Sequence, residues 1–182
     1  MGAIDIIDYK GYTISIFQDE DPESLYDWID SIFLVYDHRS FCISREGFNP
    51  TDIYYNMSDY LEDWFVFPVY AYIHSGVVLS LSNKTYPFNS RYDVSFKGFI
   101  LADINKFETS EEAETFANSL VTDWNIYLSG NVYGYVITKD EHQIDSCWGF
   151  YSSNSDYEDI VFEAKSHVDY DVKLQEEWLK ML

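Results

Sequence analysis

Residues 109–130 read TSEEAETFANSLVTDWNIYLSG, and this stretch decides the fold class. Thr109 and Glu112 stand at the spacing of a capping box, in which each side chain accepts a hydrogen bond from an otherwise unpaired amide of the first turn. Gly130 stands where a helix ends on a left-handed residue. Between these signals Ala113, Phe116, Ala117, Leu120, Val121, Trp124 and Leu128 follow helical spacing and form one apolar stripe. Such a stripe has to be buried against another element, and the segments on both sides of it read as strands.

Toward the N-terminus, Ile4 to Asp8 and Tyr12 to Phe17 flank a Tyr9-Lys10-Gly11 turn. This predicts a hairpin with Tyr12, Ile14 and Ile16 on one face and Thr13, Ser15 and Phe17 on the other. Ile32 to Asp37 reads as a strand, and residues 50–64 as a short helix ending near Trp64. Phe65 to His74 is apolar enough for a central strand, turning at Ser75-Gly76 into Val77 to Leu81, and Phe96 to Leu101 gives another. Toward the C-terminus, Val132 to Thr138 and Ile144 to Tyr151 predict a second hairpin joined through Lys139-Asp140-Glu141-His142. Residues 155–182 alternate acids with Ile160, Phe162, Val168, Val172, Leu174, Trp178 and Leu179 at helical spacing, which predicts one or two helices.

The order of strands, helix, strands and helices implies an α+β fold: a mostly antiparallel sheet, one long amphipathic helix packed on it and a helical C-terminal tail. The expected division is an α+β core domain over residues 1–151 and an acidic helical extension over residues 152–182 packed on the core. There is no internal repeat and no low-complexity tract.

The chain has 182 residues, 47% hydrophobic and 19% aromatic, ample for a core and unlike a disordered chain. Charge is the outlying quantity: 32 acidic against 11 basic residues leave −21. That excess repels phosphates and acidic lipid surfaces, so neither direct DNA binding nor a membrane partner is expected. The charge is also segregated along the chain. Residues 1–63 carry 14 acids and 3 bases (−11), residues 64–107 carry 2 and 4 (+2), and residues 108–182 carry 16 and 4 (−12). The start, MGAIDIID, places acids where a secretory signal needs Lys or Arg, and no apolar run reaches membrane-spanning length, so the expected location is cytoplasmic.

The residues that usually carry chemistry give little here. Cys42 and Cys147 form no C-x-x-C pair and are expected to be buried thiols. Asp145 and Cys147 share a strand face, but a neighbouring carboxylate raises a thiol's pKa, the opposite of what a nucleophile requires. His74 and Ser75 are strand neighbours and point to opposite faces. His38 reads as a turn or salt-bridge residue, and His142 and His167 as solvated surface. Asp19-Glu20-Asp21-Pro22-Glu23 is the densest acid cluster, yet it lacks the Gly and Glu positions of a calcium loop. A metal-dependent nuclease with acids placed by the fold remains the enzymatic alternative. No phosphate loop or dinucleotide fingerprint occurs, and the expectation is no catalytic residue, no bound metal and no cofactor.

Carboxylates spaced along one face can offer a cationic groove a field comparable to that of nucleic acid. Three patches supply candidates for partner binding: Asp19, Glu20, Asp21, Glu23, Asp27 and Asp30; Asp59, Glu62 and Asp63; and Asp156, Glu158 and Asp159, with Glu163 beside them. Glu111, Glu112 and Glu114 also serve the helix dipole. Tyr26, Trp28, Tyr60, Trp64 and Tyr157 interleave with these acids.

Several runs carry a resemblance. They are Asp19 to Glu23 with Trp28 and Asp37-His38-Arg39, then Pro68 to Gly76, then Trp124 to Tyr135, then Asp145 to Tyr151. Together they resemble a family of small acidic proteins of phages and other mobile elements of Gram-positive bacteria, over about residues 10–151. The pattern departs from the family at Arg91 to Gly98, where relatives tend to carry W-D-S-G. In size and charge the chain is similar to type II-A anti-CRISPR proteins. The resemblance implies inhibition of Cas9, or of the Cas9–guide RNA complex, through a nucleic-acid-mimicking surface that blocks DNA or guide engagement. An antirestriction DNA mimic shares the same electrostatics. No catalytic residue is carried over.

Overall fold

A computed structural model describes residues 2–25, 31–39, 41–73, 76–81, 94–152 and 157–181. The chain forms β1 (Asp5–Tyr9), β2 (Tyr12–Gln18), β3 (Ile32–His38), β4 (Phe41–Ile43), α1 (Pro50–Tyr55), α2 (Met57–Tyr60) and β5 (Trp64–Ile73). It continues through β6 (Val77–Ser80), β7 (Val94–Asp103), α3 (Ser110–Leu128), β8 (Val132–Lys139), β9 (His142–Tyr151) and α4 (Glu158–Met181). The strands make two antiparallel sheets, so the α+β class expected from the sequence holds.

The elements fall into two compact units: residues 1–22 with 130–182, and residues 23–129. The expected core of residues 1–151 is therefore shared between the units, and the C-terminal segment belongs with the first hairpin.

The first unit is a four-stranded sheet, β1-β2-β8-β9, with α4 on one face. Lys10 (φ 51) and Gly11 (φ 79) form the two-residue turn that holds Tyr9 opposite Tyr12. The alternation read from the sequence is the one that folds: Tyr12, Ile14 and Ile16 are buried beside Tyr133, Tyr135 and Ile137. Ile160, Ala164 and Val168 of α4 complete this core at helical spacing. Burying an Ile or Val side chain fully contributes about 1.5–3 kcal/mol, and Ala164 keeps the helix close to the sheet. At about 1.5 Å per residue α4 outruns this footing, and residues 173–181 are all exposed, Trp178 and Leu179 among them.

The second unit is a five-stranded sheet, β4-β3-β7-β5-β6. Ile32 to Tyr36 of β3 are buried without interruption, the mark of a strand covered on both faces. Phe33 and Val35 join Phe99, Leu101 and Ile53 of α1 in one cluster, closed by Phe48, Met57, Tyr60 and Trp64. The alternate residues serve the face on which α3 buries Ala113, Ala117, Leu120, Val121 and Trp124. Gly98 lies opposite Tyr36, whose Cδ2 would stand 2.2 Å from an added Cβ, so the ring lies over bare backbone.

Local chemistry sets the ends of α3 much as its sequence predicts. Thr109 accepts from the Glu112 amide at 3.1 Å. The reciprocal half of the box is displaced by one residue, because Glu112 Oε2 accepts from the Glu108 amide at 2.8 Å. Gly130 carries φ 73 just beyond the helix. Phe116 leaves the expected stripe: it is half exposed and rests on Phe107 with ring centroids 5.4 Å apart. Asn125, absent from that stripe, accepts from the Leu79 amide at 2.7 Å and donates to the Leu79 carbonyl at 3.0 Å. It thereby closes the outer edge of β6. The helix expected over residues 50–64 is two short ones, and Trp64 opens β5 instead of ending the helix.

Candidate functional site

No charged side chain is buried among the described residues, so the acid excess is a surface property. It is divided almost evenly. The first unit has 16 acids and 5 bases (−11), and the second has 16 and 6 (−10). The near-neutral middle of the sequence is thus folded together with acids from both sides of it.

The first predicted patch is split between the units. Asp19, Glu20 and Asp21 belong to the first, where Asp19 accepts from the Asp21 amide at 3.2 Å and its own amide is held by the Val132 carbonyl at 2.8 Å. Glu23, exposed, belongs to the second unit. Asp27 and Asp30 lie outside the described residues, as do Tyr26 and Trp28. Asp59, Glu62 and Asp63 do come together, on α2 and the turn after it, all exposed. Glu158 and Asp159 are exposed in the first turn of α4, where they complement the helix dipole. Asp156 lies outside the described residues.

Further along α4 the carboxylates hold the helix to the sheet. Lys10 Nζ donates to Asp169 Oδ1 at 2.7 Å, and this bond raises the lysine's pKa and lowers the aspartate's. The Tyr12 hydroxyl donates to Asp171 at 2.6 Å and accepts from Lys139 at 3.1 Å and Gln175 at 3.0 Å. The Lys139 ammonium also stands 4.4 Å from the Tyr12 ring centroid. His167 is exposed, as expected, and it also sits between two acids: Nδ1 is 2.5 Å from Asp145 Oδ2 and Nε2 is 3.4 Å from Glu163 Oε1. Beside it Tyr135 is fully buried and its hydroxyl has no hydrogen-bond partner. Burial first, then the nearby Cys147, Asp145 and Glu163, push the Tyr135 pKa up to about 12.

The second unit uses some of its acids differently. Asn49 caps α1 by accepting from the Thr51 amide at 2.8 Å, and Pro50 occupies the first helical position, where no amide is needed. Ile53 then points into the core. Tyr54 and Tyr55, about 100° and 200° further round the helix, are directed outward and are 58% and 77% exposed. With Asp37, Thr51, Phe96 and Phe99 they line an open groove of about 350 Å³. Its rings touch in series: Tyr54 to Tyr55 at 5.3 Å, Tyr54 to Phe96 at 6.3 Å, and Phe96 to Phe99 edge-on at 5.3 Å. The sequence reading missed this groove. The adjacent Tyr54-Tyr55 pair was an available signal, since a helix that buries Ile53 has to expose at least one of them.

Both cysteines are exposed, which corrects the expectation of buried thiols: Cys42 lies on a three-residue strand and Cys147 on the outermost strand of its sheet. His142 is exposed and its Nδ1 lies 2.7 Å from the Asp140 carbonyl. His74 and Ser75 lie outside the described residues. Among the described residues no group of three or more His, Cys, Asp or Glu side chains is gathered to hold a metal, and no helix is long and apolar enough to cross a membrane. Comparison of the chain with protein-family models, with curated proteins and with solved structures finds no match.

Proposed function

We propose that this chain is an anti-CRISPR protein, which acts in the bacterial cytoplasm by presenting carboxylates to the cationic channels of Cas9 and so hindering DNA or guide engagement. The observation that carries this reading is the disposition of charge. Each unit has a net charge of −10 or −11, and no charged side chain is buried among the described residues. A groove lined by Lys and Arg attracts such a surface over several ångströms and cannot hold nucleic acid at the same place. The resemblance of residues 10–151 to small acidic mobile-element proteins points the same way. No enzymatic step is part of this reading.

The test is a Cas9 cleavage assay at fixed guide and target, with the chain added in increasing amounts. Inhibition at near-stoichiometric amounts is expected, and it should weaken when Asp19, Glu20, Asp21 and Glu23 are changed together to Lys. Loss of restriction or modification activity with Cas9 unaffected would assign the chain to antirestriction instead. Cleavage of labelled nucleic acid by the pure protein with a divalent metal would replace both readings with a nuclease.

A further inference from the structure

We infer that the groove of Tyr54, Tyr55, Phe96 and Asp37 is a seat for an arginine side chain of a basic partner protein. Three observations converge on a cation. The groove is walled by exposed aromatic residues, Tyr54, Tyr55 and Phe96 being 58%, 77% and 37% exposed. Ring faces carry negative charge density and attract ammonium and guanidinium groups. The exposed Asp37 carboxylate makes no side-chain hydrogen bond or ion pair among the described residues, and the described side chains that line the groove include no Lys or Arg. The unit around it carries −10, so the local field draws a cation in.

The alternatives fit less well. A nucleobase could stack on the same rings, but its phosphate would meet Asp37 and the field of the whole chain. A second copy would bring −21 against −21. Among cations, guanidinium is favoured over ammonium because its plane stacks on a ring while its edge donates two parallel bonds to a carboxylate. The same unit already shows the stacking half of this arrangement: the Arg45 guanidinium carbon lies 4.4 Å from the Phe33 ring centroid.

This inference deepens the proposed function by naming the partner's contacting group, and the two can fail separately. The experiment is an NMR titration of the full chain with a short end-blocked peptide carrying one arginine, and with the same peptide carrying neutral citrulline. Saturable shifts centred on Tyr54, Tyr55, Phe96 and Asp37 are expected, with the citrulline peptide at least about tenfold weaker. Tyr54→Leu should weaken arginine binding about tenfold, Asp37→Asn should weaken it and flatten its salt dependence, and Glu176→Gln, an exposed acid of the first unit, should leave it unchanged. Both groove side chains are exposed, and matching melting curves verify that the variants fold. Shifts spread over the acids of both units, or unaltered by Tyr54→Leu, would overturn the inference. A chain that binds the peptide at the groove yet leaves Cas9 active refutes only the Cas9 reading; a Cas9 inhibitor with no groove binding refutes only the arginine seat.

Discussion

The two units carry nearly equal charge, −11 and −10, but dispose of it differently. In the first, a sheet is covered on one face by a single helix, and that helix is tied down by carboxylates: Asp169 to Lys10, Asp171 to Tyr12, and Asp145 from the sheet to His167. In the second, the interior strand β3 is buried on both faces by apolar side chains. Its acids at Asp37, Glu62 and Asp63 are exposed, the first of them beside an aromatic groove. Net charge therefore says little about where a partner is met, because part of it serves the fold. The acids with no partner inside the molecule are the ones available to an outside cation.

The hardest blow to this comparison is a charge inside the first unit. Ala164→Glu places a carboxylate where no solvent reaches and should cost more than about 4 kcal/mol. In hydrogen exchange, amides of β2, β8 and α4 should lose protection while those of β3 and β7 keep theirs. Equal loss in both sheets would mean that the units do not behave as separate compact bodies.

Alkaline titration sharpens the contrast, since one tyrosine in each unit has its pKa pushed up to about 12 for a different reason. For Tyr135 the leading cause is burial; for Tyr60 it is the hydrogen bond to Asp52 at 2.7 Å. Both folded values lie above the ordinary 10.0, so the unfolded chain releases these protons first. Their contribution to stability is complete below about pH 10 and is lost as pH rises toward about 12. Asp52→Ala should return Tyr60 toward its ordinary range and leave Tyr135 unmoved, as read by tyrosinate absorbance.

Smaller effects follow at single polar groups. Tyr135→Phe removes a buried hydroxyl that has no partner and should stabilise the first unit by about 1 kcal/mol in denaturant unfolding; a loss of that size would reveal a partner for the hydroxyl. Thr109→Ala removes the cap of α3 in the second unit and should cost about 1 kcal/mol, seen first as fraying of residues 110–113.

Much of the fold was legible because its signals are local. The Lys10-Gly11 turn, the alternation of Tyr12, Ile14 and Ile16, and the cap and stripe of α3 are all written within a few residues of one another. The pairing of β2 with β8 was not legible, since it joins Gln18 to Tyr133 across more than a hundred residues and no local pattern records it. That pairing is what unites the two chain ends in one unit and divides the run Asp19 to Glu23. The contact of His167 with Asp145 was not legible for the same reason: Asp145 is on a strand, 22 residues away. The groove escaped notice because its rings come from α1 and β7, and Asp37 from β3.

The most direct measurement of the central claim is the binding constant of the chain for guide-loaded Cas9 across a salt series, without and with target DNA. Affinity should fall steeply and linearly in log–log form as salt rises, and target DNA should compete, because both ligands seek the same cationic groups. Absence of binding, or binding indifferent to both salt and DNA, would contradict it.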